Sequence, residues 1–435
     1  MRSPHRNRTF RGFEPTWANA CVGDNGSPQI IDYANGFAAA ANILLNQVIE
    51  DEGIHHYVDD LVYPIGFNIR HAVELRLKAT AISLKQLSSY LSRIPDFDLN
   101  GSHDIGLIWK YIKEHSEKLD KRYKPLITKL DRYIFDIATI DATGQVFRYP
   151  FNTENKKHLV DVAVINLVLL KYKFSKLEVY LGELHSLNTE LLEEYSLNSY
   201  TPNLSRAELF ELAKMLPHRN EWGETNFDEV KQNIKSKFGI SSNELSKAIN
   251  IIKSHFELAQ YIHATPILPH THLPLLAQFL DCWTKLHDLE KIKSPKSVRI
   301  SDKDFRTGGI DGMIERSEIK EECWTRLAPV INPHFISEIT ALYYFGYDSK
   351  YTENFHRHFD SSLSEIDRNF QGYPSLFKQA VLHILTKTNG LENILYSLYR
   401  LGQINLAESI YIRYELGDCF SWLGQTREKI LANFK

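Results

Sequence analysis

Tyr63–Lys78, YPIGFNIRHAVELRLK, carries Arg70, His71, Glu74, Arg76 and Lys78 within a pattern that otherwise has the apolar spacing of a buried helix. On a 3.6-residue period Arg70 and Glu74 stand at i and i+4 and share one face. Lys78 continues that face one turn later, and His71 sits at its edge. Ile69, Val73 and Leu77 form the parallel apolar row, with Leu75 beside it. A charged stripe next to a core stripe reads either as a structural ion-pair ladder or as a polar site between helices. Spacing alone leaves both readings open.

Working outward, this helix is expected from about Ile65 to Arg93, where Pro95 stops it. Before it, NGFAAAANILLNQVIE (35–50) places Phe37, Ala41, Leu44, Leu45 and Val48 on one side. After it, Ser102 reads as the N-cap of a helix over about His103 to Lys121, with Ile105, Ile108, Trp109 and Ile112 inward. A further helix is expected around Pro125–Thr139. Gly144 and Pro150 bracket a turn and a short extended piece, and a second long helix follows from about Lys156 to Tyr195. Four strong helices, two of them long, give the pattern of an antiparallel bundle.

Beyond Pro202 the helices shorten, and Ser205/Glu208 and Ser241/Glu244 both have capping-box spacing. LYSLYRLGQINLAESIYIRY (395–414) reads as a helix–turn–helix hairpin of the tetratricopeptide kind, without a second copy at the period of that repeat. The charged, Gly/Pro-bearing stretch 291–312 reads as a linker. The expected fold class is all-α. The expected divisions are an irregular arm over 1–34, a helical bundle over 35–202, a small helical domain over 203–290, the linker, and a helical domain over 313–435.

With 43% hydrophobic residues and a formal net charge of −3, the 435-residue chain has no global attraction to nucleic acid or anionic membrane, so such binding must rest on a local patch. Four widely separated cysteines with no CxxC pair argue against a zinc knuckle and for a reduced, cytoplasmic setting. The basic start MRSPHRNRTFR is not followed by a signal-type apolar run, and no apolar stretch is long enough to predict a membrane span. P-loop, dinucleotide-fingerprint, nucleophile-elbow and HExxH motifs do not occur. His55–His56 with Asp59–Asp60, the trio His263, His270 and His272, and His356–Arg357–His358 with Asp360 supply ligand-type residues. They do so without the spaced, enclosed order of a known metal site. No metal or cofactor is therefore expected.

Two further residues bear on the opening stretch. His103–Asp104 is helix-start chemistry, yet helices joined by a short loop are usually neighbours, so His103 can face the Arg70 stripe. Arg148 stands between aromatics in a loop. It reads either as a structural residue pairing with Glu74 or Asp141, or as a contact for an anion or nucleotide.

IRHAVELRLKA (69–79), SHDIGLIWKYI (102–112) and FRYP (147–150), in that order, resemble the HEPN superfamily over about residues 35–200. The resemblance implies a four-helix fold and metal-independent ribonuclease activity of the toxin or phage-defence kind. It also implies a homodimer or partner protein, with paired Arg and His side chains forming the site. By this likeness Arg70, His71, Glu74 and His103 are the catalytic candidates, and Arg148 and Lys78 are substrate-binding. The chain departs from the family's Arg-x4–6-His motif: Arg70 is followed at once by His71, and no arginine has a histidine at that spacing. The implied member either builds its site differently or binds RNA, nucleotide or a partner without cleavage. The competing expectation is a non-enzymatic helical interaction protein with a structural Arg–Glu network. A third is a metal-dependent hydrolase using the histidines of HTH or HRH.

Overall fold

Helix α1 (Ile30–Glu50) buries Ala34, Ala38, Ala41, Leu45 and Val48; of the expected row Ala41, Leu45 and Val48 are buried, whereas Phe37 and Leu44 are half-buried. This arrangement comes from a computed structural model, which describes residues 9–424 and Arg427 except Ser92, Asn100, Thr153, Thr225 and 294–309. The fold is all-α. Among the described residues there is no strand; Phe151 with Lys157 and Thr201 with Leu204 form isolated bridges. Among them, too, no helix is long and apolar enough to cross a membrane.

The chain divides into two units, residues 1–196 and 197–435. In the first, α1 is followed by α2 (Val58–Ser88), α3 (Ile105–Leu119), α4 (Tyr123–Asp141) and α5 (Leu167–Ser196). Helix α2 packs against α1, α3 and α5, and α4 packs against α3 and α5. Helix α2 starts earlier than expected, with Pro64 inside it rather than ahead of it. The N-cap of α3 is Asp104, not Ser102: its carboxylate accepts from the Leu107 amide at 3.0 Å. Helix α5 starts at Leu167, not near Lys156, and Asn166 Oδ1 accepts from the Leu169 amide at 2.9 Å. The preceding run holds Val160, Val162, Val164 and Ile165, whose branched side chains disfavour helix, and Leu159 at φ +55°. Ahead of α1, residues 9–29 are irregular apart from 3-10 turns at Thr16–Ala18 and Gly23–Asn25, so the expected arm loses its last residues to the helix.

The second unit holds α6 (Arg206–Met215), α7 (Phe227–Phe238), α8 (Ser242–Ser254), α9 (Leu258–Tyr261), α10 (Leu273–Leu286) and α11 (Leu289–Lys293). After these come α12 (Ile310–Leu327), α13 (Pro333–Asp348), α14 (Asn354–Gly372), α15 (Pro374–Leu385), α16 (Gly390–Arg400) and α17 (Ile404–Arg413). Ser205 and Glu208 form the expected reciprocal capping box. Ser241 caps α8, but the Glu244 carboxylate turns away and accepts from the Asn203 amide.

Leu209, Leu212, Ile234, Leu245 and Ile252 make one core beneath α6–α8. A larger core joins Phe279 and Trp283 of α10 to Phe335, Leu342, Leu398 and Tyr399. The boundary expected at residue 290 therefore separates α10 from the helices it packs with. Of the expected linker, 294–309 lies outside the described residues, while Lys291–Lys293 closes α11 and Ile310 opens α12. Gly402, at φ +68°, turns α16 into α17 and forms the hairpin expected at 395–414.

Candidate functional site

Glu74 is the centre of the charged face. It is 2% exposed and is surrounded by four basic side chains. Its Oε2 pairs with Arg70 Nη1 and lies 3.5 Å from His71 Nδ1. Its Oε1 lies 3.0 Å from Lys78 Nζ and 2.9 Å from His103 Nδ1. Arg70, His71 and Lys78 come from the same helix at i−4, i−3 and i+4, whereas His103 arrives from the loop that starts α3. Burial pushes the Glu74 carboxyl up, but His71, Lys78 and His103 with the Arg70 charge reverse this and hold it far below the usual carboxylate range.

Arg70 is as buried as its partner. Besides Glu74, its Nε donates to the Asp141 carbonyl at 3.2 Å, and Nη2 donates to the Ala142 carbonyl at 2.8 Å and to the His103 carbonyl. The guanidinium thus ties α2 to the C-terminus of α4 and to the residue before the α3 cap, satisfying carbonyls that a helix end leaves unpaired. Gly144, at φ +80°, lets the loop backbone pass beside it: a Cβ there would stand 3.0 Å from Arg70 Nη1.

Arg148 is not on either expected carboxylate. Asp141 Oδ1 accepts from the amides of Gly144, Gln145 and Val146 at 2.8, 2.9 and 3.2 Å, folding the loop back on α4. The four partners already named surround Glu74. The Arg148 guanidinium is exposed and lies over the rings of Phe67 (5.7 Å) and Tyr149 (5.4 Å). Phe67 stacks on His71 with centroids 5.6 Å apart, and Phe37 of α1 meets the same imidazole edge-on at 4.4 Å. The sequence places Phe37 only on the inward side of its helix and gives Phe67 no role, although Phe67 stands at i−4 from His71 and so belongs to its face.

The candidate residues therefore fall into two layers. Arg70 and Glu74 are buried, with Lys78 nearly so; His71 is 28% exposed, His103 is 63% exposed and Arg148 faces solvent. The arrangement can hold two imidazoles at the surface by one buried anion. A carboxylate on Nδ1 fixes the tautomer that leaves Nε2 as the free lone pair.

The histidines of the three clusters have separate partners, although His270 and His272 border one hollow. His56 Nδ1 engages Asp51, and Asp59 and Asp60 lie in the first turn of α2. His263 stacks on His218, His270 on Phe359, and His272 precedes α10. His356 stacks on Phe256, whereas His358 Nε2 lies 3.2 Å from Ser349 Oγ. Among the described residues no group of three or more His, Cys, Asp or Glu side chains could hold a metal ion.

The second unit has its own buried ion-pair cluster, which sequence reading missed. Arg206 donates from Nε to Glu353 Oε1 at 2.8 Å and from Nη2 to Oε2 at 3.2 Å, with its guanidinium 4.8 Å from the ring centroids of both Phe210 and Tyr351. His255 Nε2 lies 2.9 Å from the same Oε1, while its Nδ1 accepts from the amides of Glu257 and Leu258. Burial opposes the Glu353 charge, but His255 and Arg206 outweigh it and hold the carboxyl well below its usual range. No protein-family model, curated protein or solved structure matches the chain.

Proposed function

We propose that the first unit is a HEPN-like domain that cleaves RNA without a metal, at the surface formed by His71, His103 and Arg148. The observation that supports this most is the pair of imidazoles, His103 exposed and His71 half-buried, that meet one buried carboxylate, Glu74. One imidazole takes the proton of the ribose 2′-hydroxyl as its oxygen attacks the adjacent phosphorus. The other gives a proton to the departing 5′-oxygen as the P–O5′ bond breaks, leaving a 2′,3′-cyclic phosphate. Arg148 offers the exposed cation for the phosphate oxygens. In this reading Arg70 and Lys78 position the machinery through Glu74 and do not touch substrate. A second copy, or a partner protein, completes or restrains the site, as in a toxin or phage-defence component.

A second reading, a helical interaction protein, draws support from Arg70, whose hydrogen bonds go to Glu74 and to three backbone carbonyls. One assay separates the two. Purified chain is incubated with total RNA in EDTA, and the product ends are analysed. The ribonuclease reading expects cyclic-phosphate ends from the wild type, their loss in His103→Ala and His71→Ala, and weaker cleavage in Arg148→Ala. Intact RNA with the wild type, or undiminished cleavage by the His71→Ala/His103→Ala double variant, overturns it in favour of the second.

A further inference from the structure

Behind Arg70, on the neighbouring face of α2, lies an open cavity of about 390 Å³, within the size range of small-molecule sites. Its wall is mainly apolar, with Ile69, Ile137, Ile140, Phe147, Leu170 and Phe174 among the lining residues. Gly66 is required there: a Cβ would stand 2.7 Å from the Phe147 ring, which rests directly on the α2 backbone. The irregular run before α5 and the first turn of that helix border the cavity and leave apolar groups in water; Val164 of the run is 85% and Leu169 of the helix 56% exposed.

The charges at this cavity are unequal. Asp136 is engaged by Arg132 at 3.0 Å, and the Arg70 guanidinium is used by Glu74 and backbone carbonyls. Lys173 lines the cavity, is exposed, and among the described residues has no carboxylate within ion-pair distance; its ammonium lies 5.9 Å from the Tyr133 ring centroid. An apolar hollow with one uncompensated cation complements a molecule with an apolar body and a single anionic head.

The geometry points to a binding site for a small amphiphilic carboxylate, its chain among the apolar side chains of α2, α4 and α5 and its head on Lys173. Such a ligand covers apolar surface now in water and neutralises a charge that the fold leaves alone. Its body would press on Phe147, whose neighbour Arg148 lies over Phe67 beside His71.

The test is calorimetric titration of the full chain with decanoate and with the uncharged decan-1-ol. The wild type is expected to bind one decanoate, with the negative heat-capacity change of apolar burial. Ile137→Trp, which fills the hollow, abolishes binding; Ile140→Trp replaces it if the first variant loses helical circular dichroism. Lys173→Glu weakens decanoate by about fivefold, the effect of an exposed ion pair, and leaves decan-1-ol unchanged. No saturable binding by the wild type, full binding by the folded tryptophan variant, or equal weakening of acid and alcohol in Lys173→Glu overturns the assignment.

Discussion

His103 Nδ1 lies 2.9 Å from Glu74 Oε1, although the histidine side chain is 63% exposed and the carboxylate 2%. An outer group is thus fastened to an inner one, and the stability of the inner group depends on pH through its partners. The folded pKa of Glu74 is depressed, so its contribution is present above its unfolded value near 4.5 and is lost as pH falls toward the folded value. Glu74→Gln is expected to flatten the acid limb of thermal stability below about pH 4.5 relative to the wild type. Parallel acid limbs in the two proteins count against a native ionised Glu74.

Arg70 is not replaceable by lysine. A single ammonium cannot reach Glu74 together with the carbonyls of His103, Asp141 and Ala142. Arg70→Met is expected to cost about 3–5 kcal/mol because it takes one partner from a buried carboxylate and the guanidinium donors from three backbone carbonyls, and Arg70→Lys recovers only part of this. Adding Glu74→Gln to Arg70→Met costs less than the sum of the two single changes. Urea-unfolding midpoints of the four variants read these outcomes.

Two glycines predict opposite outcomes for the same change. Gly144→Ala places a Cβ at 3.0 Å from Arg70 Nη1 on a backbone at φ +80° and lowers stability. Gly182, inside α5, has open space at its Cβ position, and Gly182→Ala is expected to raise stability by about 0.5–1 kcal/mol. Melting temperatures that shift in the same direction refute the contrast.

In the second unit, Glu338 is 1% exposed, and its Oε2 accepts from the His270 amide at 3.0 Å. Burial pushes its carboxyl up, and the hydrogen bond from the His270 amide offsets this only in part. A raised folded pKa contributes stability below the unfolded value near 4.5 and loses it as pH rises through the folded value. Glu338→Gln is therefore expected to raise the melting temperature at neutral pH and to leave it unchanged near pH 4. A loss at neutral pH would refute the assignment.

Much of the first unit is legible in sequence because its information is local. The i, i+4 spacing of Arg70, Glu74 and Lys78 fixes their shared face, and the short connection to α3 delivers His103 to it. Of the two readings of Arg148, the pairing with Glu74 or Asp141 fails because a loop residue's partner depends on how the loop is folded, and Asp141 spends one oxygen on three loop amides. The start of α5 was misjudged because charged, helix-friendly residues at 156–158 precede a β-branched run that halts helix growth. The α10 core and the Arg206–Glu353 pair left no local trace, since their members meet only across long stretches of chain.

That last pair has a consequence for the order of synthesis and folding. Arg206 and Glu353 are 147 positions apart, and Arg206 is made first. On a ribosome the arginine and its flanking Phe210 wait through the whole of α7 to α13 before the anion that completes them emerges. A contact between residues so far apart in the chain closes late, and until then the groups that form it stay open to other partners. The first unit, complete by Ser196, can already be folded while the second is still being translated.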